Sequence, residues 1–266
     1  MINENFLKGK VALITGAGGG FGREMAITFA SKGADLVIND INMETLEETR
    51  ELILREYNVE ILPSHADISD SKQVKKMAKE VFKKFDNIFI LVNNAGVNIG
   101  SFSLTQTTET YDKIMNVNVK GAWNIIKAFY KKMKKQTNFK SIAGKIINIT
   151  SCAGTDSGIN PYIGIYSASK AALIAFTKIW ALELGPSNIT VNGISPGVFV
   201  TPAYNNDPTF IRKFLELRQV KLPIDKLGES KWVADIALFL ASPAADYITG
   251  QNLILDGGMT ISINKL

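Results

Sequence analysis

The sequence predicts an α/β fold in which helices cover both faces of a seven-stranded parallel sheet. Seven short runs rich in valine, isoleucine and leucine alternate with helical patterns along the 266 residues. These runs are continuously apolar rather than alternating, which is typical of strands buried on both faces. No repeat, low-complexity tract or linker divides the chain, so we expect one doubly wound domain over residues 1–266.

The first half of the chain supplies four predicted strands and three predicted helices. The strands are KVALIT (10–15), ADLVIND (34–40), VEILPSHAD (59–67) and IFILVNNAG (88–96). The first helix occupies 23–33, where Gly33 closes it, and a charged helix occupies 43–56. In the third helix, apolar residues recur at steps of three and four from Val74 to Phe85, as expected when one helix face packs on a sheet.

The second half continues the alternation. A long helical pattern covers 107–135, another covers 165–184 and stops at Gly185-Pro186, and a third covers 231–240. The remaining strands are KIINIT (145–150), NITVNGIS (188–195) and NLIL (252–255). Residues 198–228 form a looser segment with several prolines, which we expect to cover the substrate. Its Phe199, Tyr204, Phe210, Ile211 and Phe214 suggest an apolar lid, although a helix burying its own core face would show the same pattern.

The composition excludes several classes of function. The net charge of +5 is too small and too dispersed to indicate nucleic-acid binding. One cysteine and one histidine exclude an internal disulfide and a zinc site of the His/Cys type, so no metal is predicted. No signal peptide or membrane span is indicated, and we expect a cytoplasmic protein. Six lysines between 127 and 140 suggest a solvated helix end or, alternatively, a surface for an acidic substrate carrier.

A glycine-rich loop follows the first strand and indicates a nucleotide-binding site. The loop is TGAGGGFG (15–22), in which Gly16, Gly20 and Gly22 are spaced as G-x-x-x-G-x-G rather than G-x-G-x-x-G. Glycines let the backbone turn sharply and approach a pyrophosphate, which then sits at the positive N-terminus of the next helix. A plain glycine-rich turn is the alternative. The strand before the loop and the helix after it favour a Rossmann-type dinucleotide site.

Asp40 predicts which dinucleotide binds. It ends the second strand, where a carboxylate accepts hydrogen bonds from both ribose hydroxyls and repels a 2′-phosphate. The loop itself contains no lysine or arginine, and Arg23 just after it is the nearest cation. We therefore expect NAD, with NADP disfavoured by Asp40.

Tyr166 and Lys170 are candidates for proton transfer. They are four residues apart on a predicted helix, so their side chains share one face. An ammonium beside a phenol favours the phenolate and lowers the pKa of the tyrosine from its ordinary value of about 10. Such a tyrosine can serve as a general acid and base near neutral pH. Ser151 lies at the end of the fifth predicted strand, upstream of this pair.

With these pieces together, the chain resembles the short-chain dehydrogenase/reductase family over almost its whole length, from about Gly9 to Met259. The motifs that carry the resemblance are TGAGGGFG, Asp67 at the end of the third strand, NNAG (93–96), Asn118 within NVNVKG, Ser151, YSASK (166–170), PGVFVT (196–201) and ITGQNLILDGG (248–258).

The resemblance implies a role for each matching residue. Tyr166 would be the acid/base and Lys170 would assist it and bind the nicotinamide ribose; Ser151 would bind the substrate oxygen, and Asn118 would hold a water in a proton relay. The implied cofactor-binding set is Gly16, Gly20, Phe21, Gly22, Asp40, Asp67, Ile68, Asn94, Ala95, Gly96, Tyr166, Lys170, Pro196, Gly197, Val198 and Thr201. The resemblance also suggests a homotetramer built on the long helices.

Several alternatives stay open at this stage. Asp67 could simply cap the next helix, NNAG could be only a turn, and Thr201 could be an ordinary loop residue. Ser157 is closer to Tyr166 in sequence than Ser151, and the extra length in TDSGINPYIG (155–164) should bulge near the substrate entrance.

Three functions fit the sequence. The first is an NAD-dependent dehydrogenase or reductase for a small secondary alcohol or ketone. The second is an NAD(P)H-dependent reductase of 3-oxoacyl thioesters on an acyl carrier. The third is a non-enzymatic, cofactor-sensing binding protein.

Overall fold

A computed structural model describes residues 5–134, 141–158, 161–201, 207–217, 220 and 222–262. One parallel sheet organises these residues, with strands in the order β3-β2-β1-β4-β5-β6-β9. Its strands are β1 (Val11–Thr15), β2 (Asp35–Asp40), β3 (Ile61–His65), β4 (Ile90–Asn93), β5 (Gly144–Ile149), β6 (Ile189–Pro196) and β9 (Asn252–Leu255). The predicted α/β, doubly wound, seven-stranded parallel fold is confirmed.

Helices connect the strands and cover both faces of the sheet. They are α1 (Gly20–Ala30), α2 (Met43–Glu56), α3 (Ser71–Lys84), α4 (Thr108–Met115), α5 (Ala122–Met133), α6 (Gly164–Leu184), α7 (Pro208–Leu217) and α8 (Ser230–Ala241). None of the described helices is long and apolar enough to cross a membrane.

Successive side chains of each strand point to opposite faces, and this alternation divides the core in two. Ala12 and Ile14 of β1 pack with α1, α2 and α8 in one apolar cluster. The side chains of Val11 and Leu13 point to the opposite face, where they pack with α3, α5 and α6 in the second apolar cluster. Because both faces are buried, each strand must be apolar throughout, which explains why the strands were predictable within a few residues.

The predicted long helix over 107–135 is wrong in one respect. A π-helical segment, Asn116–Gly121, separates α4 from α5. Tertiary contacts accompany the widened turn: a Cβ at Gly121 would lie 2.7 Å from the Ile68 side chain, and the Asn118 amide bonds to the loop after β4. Segments of π-helix are frequent at functional sites, and this one places Asn118 beside the candidate catalytic residues.

The segment 198–228 contains structure that the sequence did not predict. Strand β7 (Phe199–Val200) pairs in parallel with β8 (Gly228–Glu229), so both ends of the segment are fixed beside the site. Helix α7 lies between them; it buries Ile211 and exposes Phe210. Tyr204 and the Phe214 side chain lie outside the described residues, so the lid hypothesis is not settled by them.

Candidate active site

The candidate site lies at the carboxyl edge of the sheet, where the loops after β1 and β4 are joined. Thr15 Oγ1 accepts hydrogen bonds from the backbone N–H groups of Asn94 (3.0 Å) and Ala95 (3.1 Å). The Asn94 side chain returns two bonds, to the carbonyl oxygens of Thr15 (2.8 Å) and Gly16 (3.0 Å). NNAG is therefore more than a turn: it cross-links the glycine loop to β4.

The glycine loop has the geometry that a dinucleotide pyrophosphate needs. Gly16 and Gly20 adopt positive φ angles of 67° and 51°, in the left-handed region that favours glycine. A Cβ at Gly22 would collide with the Gly16 carbonyl oxygen, so the loop and α1 can approach each other only without a side chain. In the described chain no side chain caps α1 and no acid lies in its first turn. Its first N–H groups are thus open to an anion.

Two charged side chains hold the peptide groups of Gly18 from opposite sides. The Gly18 N–H donates to Asp40 Oδ2 (2.9 Å), and the Gly18 carbonyl accepts from Arg23 Nη2 (2.6 Å). Arg23 also donates to Glu48 (2.9 Å) and Thr49 (2.9 Å) of α2. Asp40 consequently lies against the loop, while the guanidinium of Arg23 is bonded to protein acceptors.

These contacts give Arg23 a positioning role, which predicts the effect of replacing it. Arg23→Met removes the hydrogen-bond donors but keeps an unbranched side chain. We expect the Kd for NADH to rise about tenfold, because the charge-assisted hydrogen bonds that fix the loop are each worth about 1.5–3 kcal/mol. Fluorescence titration with NADH and NADPH measures this. Arg50→Met is the control, since Arg50 lies on α2 and pairs with Glu47 at 3.3 Å. A loss confined to NADPH would instead show that Arg23 binds a 2′-phosphate.

The loop after β3 shows that Asp67 is not the helix cap. Asp70 caps α3 by accepting from Lys72 N (2.8 Å), whereas Asp67 Oδ1 accepts from Ser69 N (2.8 Å) within the loop. Ile68 is buried next to it, and its carbonyl oxygen accepts from Asn124 Nδ2 of α5 (2.9 Å). Sequence reasoning missed Asn124. Its only signal in the sequence was an asparagine among the apolar residues of a predicted helix.

The predicted acid/base pair lies on the first turns of α6. Lys170 Nζ is 5.7 Å from the centroid of the Tyr166 ring and donates to the Ile149 carbonyl oxygen (2.8 Å). Burial lowers the pKa of the Lys170 ammonium to about 8. The amine is thus still mainly protonated at neutral pH, and its charge is buried beside the phenol ring. This arrangement favours the phenolate form of Tyr166.

Ser151 and the residues after it pack directly on this helix. Ser151 is buried at the end of β5, and its Oγ accepts from Ala153 N (3.2 Å). A Cβ at Gly154 would lie 2.6 Å from the backbone of Lys170, so this turn fits tightly against α6. Ser157, the alternative serine, is exposed. Cys152 is buried, and burial raises the pKa of its thiol to about 11, which disfavours the nucleophilic thiolate.

Asn118 links the loop after NNAG to the helix that carries Tyr166. Its Oδ1 accepts from Val97 N (2.8 Å), and its Nδ2 donates to Val97 O (3.0 Å) and Ser169 Oγ (3.0 Å). Ser169 in turn donates to the Tyr166 carbonyl oxygen (2.7 Å). Both amide protons are therefore used by the protein, and a relay water would have to bind one of the oxygens of Asn118. Gly96 lies alongside: a Cβ there would be 3.4 Å from Lys170 Nζ.

The segment after β6 closes the other side of the site. Gly197 N donates to the Leu255 carbonyl oxygen (2.9 Å), and the Val198 carbonyl accepts from Gly228 N (3.0 Å). Phe199 packs edge-on against Phe21 of the glycine loop, with ring centroids 5.3 Å apart. Pro196 ends β6, and Thr201 ends the described run 161–201. The predicted cofactor residues thus come from the ends of five strands, β1, β2, β3, β4 and β6, at one edge of the sheet, and from the first turns of α6.

Comparison with known proteins identifies this arrangement. A family model described as enoyl-(acyl carrier protein) reductase matches residues 16–260. The chain is 36% identical to the 3-oxoacyl-[acyl-carrier-protein] reductase FabG of Thermotoga maritima, over 96% of this chain and 99% of that protein. It is equally similar, at 36%, to the (2S)-[(R)-hydroxy(phenyl)methyl]succinyl-CoA dehydrogenase subunit BbsD of Thauera aromatica, over 96% and 98%.

Solved structures agree. A short-chain type dehydrogenase/reductase from Mycobacterium marinum matches with a TM-score of 0.87 at 31% identity, covering 96% of this chain and 97% of that one. A gluconate 5-dehydrogenase from Burkholderia cenocepacia, in complex with NADP and tartrate, matches with a TM-score of 0.85 at 32% identity, covering 98% and 99%. The chain belongs to the short-chain dehydrogenase/reductase family, whose members are oxidoreductases that use nicotinamide cofactors.

Proposed function

We propose that the protein transfers a hydride between NAD(H) and a secondary alcohol or ketone, with Tyr166 as the acid and base. The observation that carries this proposal is the buried Lys170 ammonium, 5.7 Å from the Tyr166 ring on the same helix face. The nicotinamide, when bound, accepts or supplies the hydride. Membership of the family makes the protein an oxidoreductase. Tyr166, assisted by Lys170, is the group that we propose moves the proton.

Each side chain has a defined task in this mechanism. Ser151 donates a hydrogen bond to the substrate oxygen. In the oxidation direction the Tyr166 phenolate takes the hydroxyl proton as the hydride leaves the carbon, and the alcohol becomes a ketone. In reduction the phenol returns that proton to the oxygen while the carbon receives the hydride. Lys170 stabilises the phenolate, and Asn118 fixes the loop and helix that carry Gly96 and Tyr166.

NAD is the cofactor we propose. Asp40 places a carboxylate against the glycine loop, where it would accept from ribose hydroxyls and repel a 2′-phosphate. Arg23, the nearest cation after the loop, is held by Gly18, Glu48 and Thr49. The similar gluconate 5-dehydrogenase was solved with NADP, so relatives at this level of identity do not decide the cofactor.

Reduction of 3-oxoacyl thioesters is the second candidate, and the names of several relatives support it. A carrier-binding surface is less well supported. Lys127, Lys132 and Lys134 each lie over an aromatic ring, at 4.2, 5.3 and 5.2 Å from the ring centroid, which gives these lysines a local explanation. Lys135 and Lys140 lie outside the described residues. The cofactor-sensing alternative requires that Ser151, Tyr166 and Lys170 lie together without a catalytic role, and we rank it last.

A further proposal concerns the assembly. We infer a homotetramer built on the long helices, because α5 and α6 expose the apolar side chains of Trp123, Ile179 and Leu182.

We also propose that the protein is a single domain of residues 1–266 in which the segment 198–228 covers the substrate. Strands β7 and β8 anchor both ends of this segment beside the site. A cytoplasmic location stays a prediction.

A panel of ketones and secondary alcohols tests the proposed function. Each compound is assayed by NADH absorbance with both cofactors, and acetoacetyl-CoA represents the thioesters. We expect turnover of at least one simple ketone, with kcat/KM higher for NADH. Activity confined to acetoacetyl-CoA with NADPH would favour the second candidate. Cofactor binding without turnover of any compound would contradict both enzymatic proposals.

A further inference from the structure

The loop after β4 and the loop before α6 meet beside the candidate site. Ser101 and Ile163 form an isolated parallel bridge. A Cβ at Gly164 would lie 2.9 Å from the Ser103 side chain, and a Cβ at Gly100 would lie 3.7 Å from the Tyr162 carbonyl oxygen. Gly164 thus permits a close approach between the loops, while a side chain at position 100 would make only an ordinary van der Waals contact. The extra length predicted near the substrate entrance ends at this junction.

An exposed aromatic pair lies on this junction. The rings of Phe102 and Tyr162 are 4.6 Å apart at an interplanar angle of 55°, yet the side chains are 48% and 46% exposed. Leu104, two residues from Phe102, is 98% exposed. Large apolar side chains grouped at the surface commonly mark a binding site. We call Phe102 and Tyr162 the aromatic wall.

The aromatic wall is connected to the reacting groups by short stretches of chain. Tyr162 precedes Tyr166 by four residues, a span of at most about 14 Å even in an extended chain. Phe102 follows Gly96 by six residues, and Gly96 adjoins Lys170 Nζ. Asn118 holds Val97 at the start of this loop and, through Ser169, the first turn of α6. Asn118 thus joins the loop that carries Phe102 to the helix that begins just after Tyr162.

Three polar side chains of the loop after β4 form hydrogen bonds to other atoms of the same loop. Ser101 Oγ and Thr105 Oγ1 are 3.0 Å apart, and Thr105 Oγ1 also donates to the Phe102 carbonyl oxygen (2.9 Å). Gln106 Nε2 donates to the Ile99 carbonyl oxygen (2.6 Å). A sugar-like substrate needs many donors and acceptors, and this wall presents rings instead. Such a surface favours a flat apolar group.

From these observations we propose that Phe102 and Tyr162 determine specificity by binding an aryl substituent on the carbon that is oxidised or reduced. The inference rests on the proposed function and narrows it, from secondary alcohols in general to those with a ring-bearing apolar substituent. The aryl ring stacks on the exposed faces of the wall while the reacting oxygen lies at Ser151 and Tyr166. The wall takes no part in proton transfer.

Two esters that differ only in the proposed contact test the wall. Ethyl benzoylacetate carries a phenyl group where ethyl acetoacetate carries a methyl group. We expect the wild-type protein to reduce the phenyl ester with the higher kcat/KM, and Phe102→Ala or Tyr162→Ala to lower the ratio of the two kcat/KM values about tenfold, within the range that an apolar pocket contact supplies. Tyr247→Ala, an exposed aromatic remote in sequence, is the control and should leave the ratio unchanged.

A binding measurement separates this inference from the proposed function. In a Tyr166→Phe background saturated with NADH, calorimetry gives the Kd for ethyl benzoylacetate with and without Phe102→Ala, and melting temperatures verify folding. We expect a rise of about tenfold in Kd, the binding counterpart of the same lost contact. An unchanged Kd, or an unchanged ratio of the two kcat/KM values, overturns the aromatic wall while leaving the hydride-transfer proposal intact. Full turnover by Tyr166→Phe overturns the proposed function instead.

Discussion

Tyr166→Phe is expected to lower kcat at least about a thousandfold while the Kd for NADH changes less than about threefold. Positioned acid/base catalysis is typically worth about a hundred- to ten-thousandfold, and phenylalanine removes the only atom of the side chain that can carry the proton. The ring itself is kept, so its packing on the first turn of α6 and its position near Lys170 should persist. Steady-state kinetics and NADH fluorescence measure the two quantities.

Tyr111→Phe is the matched control, because Tyr111 lies half-exposed on α4 and removing its hydroxyl should not alter the rate. A Tyr166→Phe protein with undiminished turnover would remove the acid/base assignment. A protein that loses NADH binding in proportion to kcat would assign Tyr166 to cofactor binding rather than to proton transfer.

The buried ammonium of Lys170, beside the Tyr166 ring, lowers the stability of the folded protein. The pKa of Lys170 is lowered from 10.5 to about 8 by burial, so between these pH values the unfolded chain binds more protons than the folded one. The contribution of Lys170 to stability therefore increases as pH rises through that window and is least favourable below pH 8, where the folded protein must hold a desolvated charge. In the proposed mechanism this loss of stability accompanies the charge that is needed beside the phenol.

The sequence predicted the strands and the shared helix face of Tyr166 and Lys170 well because both follow short-range patterns. A strand buried on both faces must be apolar at every position, and a residue pair four apart shares one helix face wherever the helix lies. The π-helical segment escaped prediction because its contacts, between Gly121 and Ile68 and between Asn118 and Val97, join residues far apart in sequence. The roles of the individual site residues stay predictions until variants are measured.

Anchoring residues were the other part that the sequence did not reveal. Thr49 of α2 donates to the Ala17 carbonyl oxygen (2.9 Å), and Arg23 of α1 donates to the Gly18 carbonyl oxygen, so both helices support the glycine loop through backbone acceptors. Every residue has a backbone carbonyl, so the sequence does not show which of them accept these hydrogen bonds. The sequence also did not exclude Asp67 as the cap of α3, because Asp67 stands just before the helix, as does Asp70, which is the observed cap.

The second large effect concerns cofactor choice. We expect wild-type kcat/KM for NADH to exceed that for NADPH about a hundredfold, because a carboxylate and a phosphate about 5 Å apart repel by about 3 kcal/mol per charge pair at an effective dielectric constant near 20. Asp40→Asn removes the charge but keeps an oxygen that can accept from Gly18 N. Adding Gly19→Arg supplies a cation where a Cβ would meet nothing within 4 Å. The double variant should reverse the preference.

Glu44→Gln provides the control, because it removes an equal charge from the exposed first turn of α2 and makes no contact with Gly18. If Glu44→Gln gains as much NADPH activity as Asp40→Asn, the discrimination between NADH and NADPH comes from the overall negative charge around α2 and not from a carboxylate at the ribose. A wild-type preference for NADPH would show that Asp40 serves only to hold the Gly18 peptide. The glycine loop would then owe its shape to Asp40 and Arg23 together, and its cofactor specificity to neither.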